Sequence, residues 1–418
     1  MGTTDCVAGA RGETSTRLIF IIEDKCSVMN DGVSENRLGG KAAAMNDRPA
    51  AFFLELLNRG RGSPSTGEID LRTGGKLLVI SDLHMGDGQR DDLERNGGLV
   101  EAILDGYYFE RGYTLVLNGD IEELLKHSLS SIRARWRTLY QIFDRFHVAG
   151  RLYKILGNHD EDLVLERHYP YTLYETVAAR TSYGRVFIYH GHQGSLVYSR
   201  YNKLIALLVR HVLKPFGIGN VTSARSPRKR FAAEKRAYDF SRENGVISII
   251  GHTHRPLFES RSRFEFIKFE IERYCRKYPL ATDAERALIK TEVSSLREEL
   301  AKLGKKERRG ILRASLYGGD VPVPCLFNSG CVIGKKGITA LEVDDRAISL
   351  VYWWEDGKGK KFVQRGNYTV ETPSAFGVAA SGGAASRENG ATCGAVYKKA
   401  TLNDETLENI QARMELLR

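Results

Sequence analysis

KLLVISDLH, residues 76–84, is an apolar run that ends on two metal-binding residue types, Asp82 and His84. Runs of four to eight residues rich in Val, Ile and Leu, without polar alternation, are typical of strands buried on both faces. Such strands end at one edge of an open α/β sheet, where ligands bind. Four more runs end on similar residues: TLVLNGD (114–120), RLYKILGNHD (151–160), RVFIYHGH (185–192) and VISIIGHTH (246–254).

The ends of these five runs carry most of the histidines in the chain. A single histidine after a strand is more often a hydrogen-bonded structural residue than a metal ligand. Here the histidines stand together with carboxylates and an asparagine, which also bind divalent ions. The set therefore predicts a metal site. Six of the ten histidines fall in it: His84, His159, His190, His192, His252 and His254.

The ordered set DLH, GD, GNHD, HGH and GHTH resembles the calcineurin-like metallophosphoesterases, from about Lys76 to Trp354. The resemblance implies an α/β fold, an αββα sandwich of two mixed sheets. It also implies two metal sites that share Asp120 as a bridging ligand. The first would be formed by Asp82, His84, Asp120 and His254, and the second by Asp120, Asn158, His190 and His252.

The chemistry of a two-metal site explains why these residue types are needed. Two divalent ions about 3.5–4 Å apart can share a hydroxide and neutralise charge on phosphoryl oxygens during an in-line displacement. Imidazole and oxygen ligands suit Mn, Fe, Zn or Co better than Ca. The expected cofactor is a pair of divalent ions, with Mn²⁺ as the first choice and Fe, Zn or Co as alternatives.

His159 is the candidate catalytic residue, because it lies between Asn158 and Asp160 on a predicted tight loop. By the resemblance it protonates the leaving oxygen or stabilises the transferring phosphoryl group. The alternative is that His159 only supports its neighbours. Asp160 is expected to orient other groups rather than bind metal, and His192 is expected to line the pocket or hydrogen-bond a ligand.

The length of 418 residues leaves room for parts beyond one catalytic core. We expect an N-terminal extension over 1–75 with one helix, which starts near Asp47 and stops at Gly60. The metallophosphoesterase domain is predicted over 76–356. A low-complexity tail with a terminal helix is expected over 357–418, because residues 376–396 are rich in Gly, Ala and Ser.

A helical insertion is predicted within the domain, over about 261–316. Thr282 and Glu285 form a capping-box pattern, and the apolar residues that follow recur at intervals of four and three. This helix is expected to pair with an earlier one around 264–278, as a lid or an interaction arm. The later runs CLFNSGCVIG, GITALEVD and AISLVYWW are expected to complete the second sheet.

Composition indicates the redox environment and the cellular location of the protein. The six cysteines have no regular spacing, which indicates reduced thiols. The early apolar run LIFII is too short for a signal sequence, and no window approaches the 18 apolar residues of a membrane span. A cytoplasmic location, peripheral to a membrane in one alternative, is therefore expected.

The formal net charge of +10 has its densest source in residues 225–236, after an amphipathic segment at 201–213. Such a stretch can contact an anionic membrane surface or a phosphate-rich substrate, but most charged runs only hydrate a surface. Oligomer contacts are expected through helices at 282–303 or 404–418.

The leading function is a two-metal phosphohydrolase that cleaves a phosphomonoester, phosphodiester or pyrophosphate bond of a phosphorylated small molecule. The first alternative is a hydrolase similar to the UDP-diacylglucosamine pyrophosphatases, which act near membranes but commonly have Arg where this chain has His159, and HGD in place of HGH. A nuclease would fit the positive charge, yet no groove of alternating aromatic and basic residues is evident, so nucleic acid is the less favoured partner. The last alternative is a non-catalytic scaffold.

Overall fold

The computed structural model describes residues 66–88, 91–193, 227–302, 321–334, 336–359, 368–373 and 395–418. The predicted helix at 47–60, the amphipathic segment at 201–213 and the Gly/Ala/Ser-rich stretch at 376–396 lie outside these ranges. Within them, the predicted fold class is confirmed, since helices surround two mixed β-sheets.

Fifteen strands lie in the described ranges. In chain order they are β1 Thr66–Asp70, β2 Leu77–Ile80, β3 Thr114–Asn118, β4 Leu152–Ile155, β5 Leu173–Tyr174, β6 Thr176–Thr181, β7 Gly184–Tyr189, β8 Ile247–Ile250, β9 Leu257–Phe258, β10 Arg261–Ser262, β11 Leu326–Asn328, β12 Ile338–Val343, β13 Ala347–Glu355, β14 Val370–Glu371 and β15 Tyr397–Thr406.

The helices of the same ranges connect or flank these strands. The α-helices are α1 Gly97–Ile103, α2 Leu129–Arg135, α3 Arg137–Val148, α4 Pro227–Asn244, α5 Arg263–Lys277, α6 Asp283–Lys302 and α7 Leu407–Leu417. A π-helix, Leu104–Phe109, continues α1, and short 3-10 turns span Glu161–Leu165 and Tyr278–Leu280.

The first sheet has the strand order β1-β6-β7-β8-β11-β9-β10, and the second has the order β14-β15-β13-β12-β2-β3-β4-β5. Strands β2, β3 and β4 run parallel to one another, as do β7 and β8. These five are the strands that the apolar runs predicted. Their parallel arrangement brings their carboxyl ends to a common edge in each sheet.

Strand β2 shows why the predicted runs lack polar alternation. Leu77 and Val79 belong to the core cluster that includes residues of the first sheet, whereas Leu78 and Ile80 belong to the cluster that includes residues of α1 and α3. All four side chains are buried, because successive residues of a strand point to opposite faces. Each buried side chain of this size stabilises the fold by about 1.5–3 kcal/mol.

Three strands, β1, β14 and β15, lie outside the expected domain limits of 76–356. Strand β1 precedes residue 76 and pairs in parallel with β6, and β15 follows residue 356 and pairs with β13 along its length. Strand β11 is also placed differently from the expectation: it pairs with β8 in the first sheet rather than completing the second. Its three residues are buried, and it lies between β8 and β9 in the strand order.

The terminal helix begins at Leu407 rather than near residue 404, because residues up to Thr406 continue β15. Thr406 has an extended backbone, and its side-chain oxygen accepts a hydrogen bond from the Asn409 N–H at 3.2 Å, which caps the helix. Leu407, Ile410 and Met414 are buried in the chain's own core. Those three side chains are therefore not available for contact with a second subunit.

Helices α5 and α6 contact each other, as expected for the helical hairpin within the predicted insertion. The capping box is present, since the Thr282 N–H donates to Glu285 Oε2 at 2.8 Å. Residues 303–316 of the predicted insertion lie outside the described ranges. No described helix is long and apolar enough to cross a membrane. The described cysteines, Cys275, Cys325 and Cys331, are free thiols.

Candidate metal centre

Loops that follow five strands meet at one place between the sheets. Strands β2, β3 and β4 deliver the DLH, GD and GNHD segments, and β7 and β8 deliver HGH and GHTH. Backbone hydrogen bonds hold neighbouring loops together. The His84 N–H donates to Asp120 O at 3.0 Å, and the Gly251 N–H donates to His190 O at 3.0 Å.

Potential ligand atoms converge in three overlapping groups, each within 4.8 Å: Asp82, His84 and His254; His84, Asp120 and His159; and Asp120, His190 and His252. The first group contains three of the four ligands that the resemblance implies for one metal, and the third contains three of the four for the other. Asp120 and His84 each belong to two groups. The identity of each ligand stays a prediction, but the structure brings these residues together.

Individual distances show how close together the donor atoms lie in the first and third of these groups. In the first, His254 Nε2 lies 3.1 Å from both Asp82 Oδ1 and His84 Nε2. In the other, His190 Nε2 lies 3.1 Å from Asp120 Oδ2. These separations resemble those of donor atoms that share one ion.

The backbone at the candidate ligands is strained. Positive φ angles occur at Asp82 (55°), His84 (47°), Asp120 (53°), His252 (63°) and His254 (55°). In the described ranges, the only other non-glycine residues with positive φ are Glu259 and Ser260. A left-handed conformation costs an L-residue about 1–2 kcal/mol. Strain concentrated in this way is typical of functional sites, where the surrounding fold holds side chains in required positions.

Asn158 does not belong to the three groups, which consist of Asp and His residues, but its side chain fits the same site. Its Oδ1 atom is buried and has no hydrogen-bond partner among the described residues. A buried amide oxygen without a partner is costly unless it binds something else. Together with the imidazole nitrogens and carboxylate oxygens nearby, this atom fits a divalent ion as a ligand.

The candidate bridging residue carries a stabilised negative charge. Burial would raise the pKa of Asp120, but the His190 and His159 imidazoles outweigh burial and hold it well below its usual value. Burial opposes the charge on His190 as well, yet Asp120 raises the pKa of His190 to about 9. A cation bound here would take the place of those protons as the partner of the carboxylate.

Glu123 is a site residue that the sequence analysis missed. Its Oε1 lies 2.9 Å from His159 Nδ1, and its Oε2 lies 3.2 Å from His84 Nδ1. Burial would raise the pKa of Glu123, but the hydrogen bonds to His159 and His84 lower it strongly. Two consecutive glutamates after the GD segment were the available sequence signal.

Asp160 is placed as expected, as an orienting residue. Its Oδ1 accepts a hydrogen bond from the Gly157 N–H at 2.6 Å, and its Oδ2 accepts one from the Ile121 N–H at 2.8 Å. The buried Lys154 ammonium donates to Asp160 and also lies 3.0 Å from Glu122 Oε2. This network joins the GNHD loop to the loop after Asp120.

His159 and His192 occupy different positions around the site. His159 is buried, and its backbone N–H donates to Asp120 Oδ1 at 2.8 Å. Its ring atom Nε2 lies 3.9 Å from Asp120 Oδ2. The His192 ring is buried beside His190 and His252, with centroid distances of 5.4 and 6.3 Å. His159 is therefore close enough to act on a group bound next to Asp120, and His192 contributes to the wall.

Comparison with known proteins gives one family match. Residues 75–277 match the family described as calcineurin-like phosphoesterase. The matched range includes all the candidate ligands and His159. No curated protein matches the chain.

Several solved structures align over much of the chain, with low similarity. A single-mutant Vps29 from Entamoeba histolytica is 14% identical, covers 68% of this chain and 96% of its own, and has a TM-score of 0.29. Yfce, a phosphoesterase from E. coli, is 16% identical over 66% of this chain and 91% of its own, with a TM-score of 0.26. Vacuolar Protein Sorting 29 from Cryptosporidium parvum is 11% identical over 68% and 93%, with a TM-score of 0.28.

Proposed function

We propose that the protein is a two-metal phosphohydrolase, on the premise that residues 75–277 match the calcineurin-like phosphoesterase family. The reaction is hydrolysis of a phosphomonoester, phosphodiester or pyrophosphate bond in a phosphorylated small molecule. The observation that carries the proposal is the pair of ligand groups, Asp82/His84/His254 and Asp120/His190/His252, which lie side by side.

The residues would divide between two divalent ions. Asp82, His84 and His254 would hold one, while His190, His252 and Asn158 would hold the other, and Asp120 would contribute to both. When bound, the two ions supply a water activated for attack and positive charge next to the phosphoryl oxygens. Mn²⁺ is the proposed metal, with Fe, Zn and Co as alternatives of similar ligand preference.

The protein's own side chains provide the proton chemistry and the positioning. Glu123 binds His159 at Nδ1, so that Nε2 is the nitrogen left to face the neighbourhood of Asp120. From there His159 can donate a proton to the leaving oxygen or a hydrogen bond to the transferring group. The strained backbone at five candidate ligands supports a preformed site, which needs little rearrangement on binding metal.

A second candidate is a hydrolase similar to the UDP-diacylglucosamine pyrophosphatases, with a substrate at a membrane surface. The α5/α6 hairpin favours it, because the hairpin begins at Arg263, soon after the candidate ligand His254. The basic residues 225–236, which include the first part of α4, are the proposed contact with anionic groups. Nuclease and scaffold functions have no such supporting feature in the described residues.

Metal content and a substrate panel together test the proposal. The purified protein would be stripped with EDTA, dialysed and titrated with Mn²⁺, and then assayed on p-nitrophenyl phosphate, bis-p-nitrophenyl phosphate and pyrophosphate-containing nucleotides. We expect two bound equivalents and turnover of at least one class. Metal binding without turnover of any class would favour the scaffold alternative.

A further inference from the structure

The carboxylate of Glu234 connects helix α4 to the loop that carries His252 and His254. Glu234 is fully buried. Its Oε1 accepts hydrogen bonds from Thr253 Oγ1 at 2.8 Å and from Arg255 Nε at 3.1 Å. Its Oε2 accepts a second hydrogen bond from Arg255, at Nη2. One buried group thus holds two residues of the same loop, and the Arg255 contact has the two-pronged geometry that makes such pairs directional.

Thr253 lies between two candidate ligands that belong to different groups. His252 is grouped with Asp120 and His190, whereas His254 is grouped with Asp82 and His84. Both histidines have left-handed backbone conformations, and the Thr253 N–H donates to Gly251 O at 2.6 Å across the tight bend. A shift of Thr253 would therefore move ligands of both groups.

A second contact holds Thr253 from the other side. Asn328, at the end of β11, donates from Nδ2 to Thr253 Oγ1 at 2.9 Å and to Gly251 O at 3.0 Å. The Thr253 hydroxyl therefore accepts from Asn328 and donates to Glu234. Because the single hydroxyl proton of Thr253 goes to Glu234 and a lone pair accepts from Asn328, the side chain is held between α4 and β11.

We propose that Glu234 is a positioning residue that sets His252 and His254 relative to each other and, through them, the separation of the two metal sites. This inference rests on the proposed function. Loss of the Glu234 contacts should lower the metal affinity of both sites, although Glu234 belongs to neither group of ligands. A residue that only anchored α4 would affect folding and leave the metal affinity of the folded protein unchanged.

The test uses the full chain and three variants of this contact. Glu234→Gln removes the charge that pairs with Arg255. Thr253→Val removes the hydroxyl but keeps the pair of Glu234 with Arg255, so folding is protected. Thr253→Ser keeps the hydroxyl and is the conservative variant to compare with Thr253→Val. Asp239→Asn, which breaks the Lys235–Asp239 ion pair on the same helix, is the matched control.

Each variant would be titrated with Mn²⁺ by calorimetry after EDTA treatment, unfolded thermally in EDTA and in Mn²⁺, and assayed for kcat and KM. Mutation of groups that orient ligands typically costs about 10–100-fold in metal affinity or activity. We expect a loss of that size at both Mn²⁺ equivalents for Glu234→Gln and Thr253→Val, with a smaller rise of Tm on adding Mn²⁺. Thr253→Ser and Asp239→Asn should resemble the wild type, and KM should change less than kcat.

The inference is overturned if Glu234→Gln and Thr253→Val bind Mn²⁺ like the wild type, even if their Tm in EDTA is lower. A loss confined to one equivalent would also contradict it. If the wild type binds two Mn²⁺ without turnover, the proposed hydrolase fails while the role of Glu234 is still decided by the titrations. If the wild type binds no Mn²⁺, both fail.

Discussion

Glu123 Oε1 lies 2.9 Å from Nδ1 of His159, the candidate catalytic histidine. The other oxygen of the same carboxylate lies 3.2 Å from Nδ1 of His84, a candidate metal ligand. A single buried side chain therefore orients two imidazoles that have different proposed roles. This arrangement links the position of the candidate catalytic residue His159 to that of the candidate metal ligand His84.

Glu123→Gln should reduce both turnover and metal affinity, because it replaces one of the two acceptor oxygens with an NH2 group, which cannot accept a hydrogen bond from the imidazole that it faces. The expected loss is about 10–100-fold in kcat or in Mn²⁺ affinity. Lys126→Ala is the control: Lys126 is exposed, and removing its 3.1 Å contact with Glu123 Oε2 leaves both contacts of Glu123 with the imidazoles in place. Kinetics and Mn²⁺ titration of both variants check the prediction. Equal effects in the two would contradict it.

His159→Ala should keep its bound metal and lose turnover. General acid catalysis typically contributes about 10²–10⁴-fold, and this share shrinks when the leaving oxygen is already acidic. The loss should therefore be smaller on nitrophenyl esters than on alkyl esters. Metal analysis with kcat on both ester types is the measurement. An equal loss on both types would indicate a purely electrostatic role.

Gly157→Ala should damage the site without changing any ligand. A Cβ atom at Gly157 would lie 2.2 Å from Asp120 Oδ1 and 2.3 Å from the Asp120 backbone nitrogen, so Asp120 would have to move. Bound Mn²⁺ should fall below two equivalents. Gly98→Ala is the control, since a Cβ there meets nothing closer than 3.8 Å and alanine favours the helix by about 0.5–1 kcal/mol. Full metal content in Gly157→Ala would disprove the close approach.

Leu407→Ala should lower the free energy of unfolding by about 2–5 kcal/mol, because it leaves a cavity where a fully buried side chain packs in the core. Leu416→Ala, on the same helix, should change it by less than about 0.5 kcal/mol, since Leu416 is 83% exposed. Chemical denaturation of the two variants measures the difference. Similar values would mean that α7 does not pack on the domain.

The residues that converge at the candidate site could be predicted because each follows a locally recognisable apolar run. Strand β15 could not, because its sequence YKKATLNDET is largely polar and follows the Gly/Ala/Ser-rich stretch. Its strand conformation depends on pairing with β13, and tertiary context of this kind overrides local propensity. The sheet to which β11 belongs was missed for the same reason, since parallel pairing with β8 is non-local.

The backbone strain and the role of Glu123 were equally hidden from sequence reasoning. A left-handed φ at Asp82 or His252 could not be predicted from residue type, because this conformation is uncommon even for aspartate and histidine, which adopt it more often than most residues. Glu123 stands next to Glu122, and the two have different partners: Glu123 contacts the imidazoles, whereas Glu122 lies beside Lys154. Only the three-dimensional arrangement separates their roles.

Asp120→Asn tests the central claim most directly, because the claim requires one carboxylate to serve both metal sites. The measurement is the Mn²⁺ stoichiometry of EDTA-stripped, reloaded protein, taken together with kcat on the best substrate of the panel. The account predicts two equivalents in the wild type, fewer than two in Asp120→Asn, and the largest loss of kcat of any single ligand variant, since the change removes negative charge from between the two ions. Two equivalents and near-normal turnover in Asp120→Asn would contradict it.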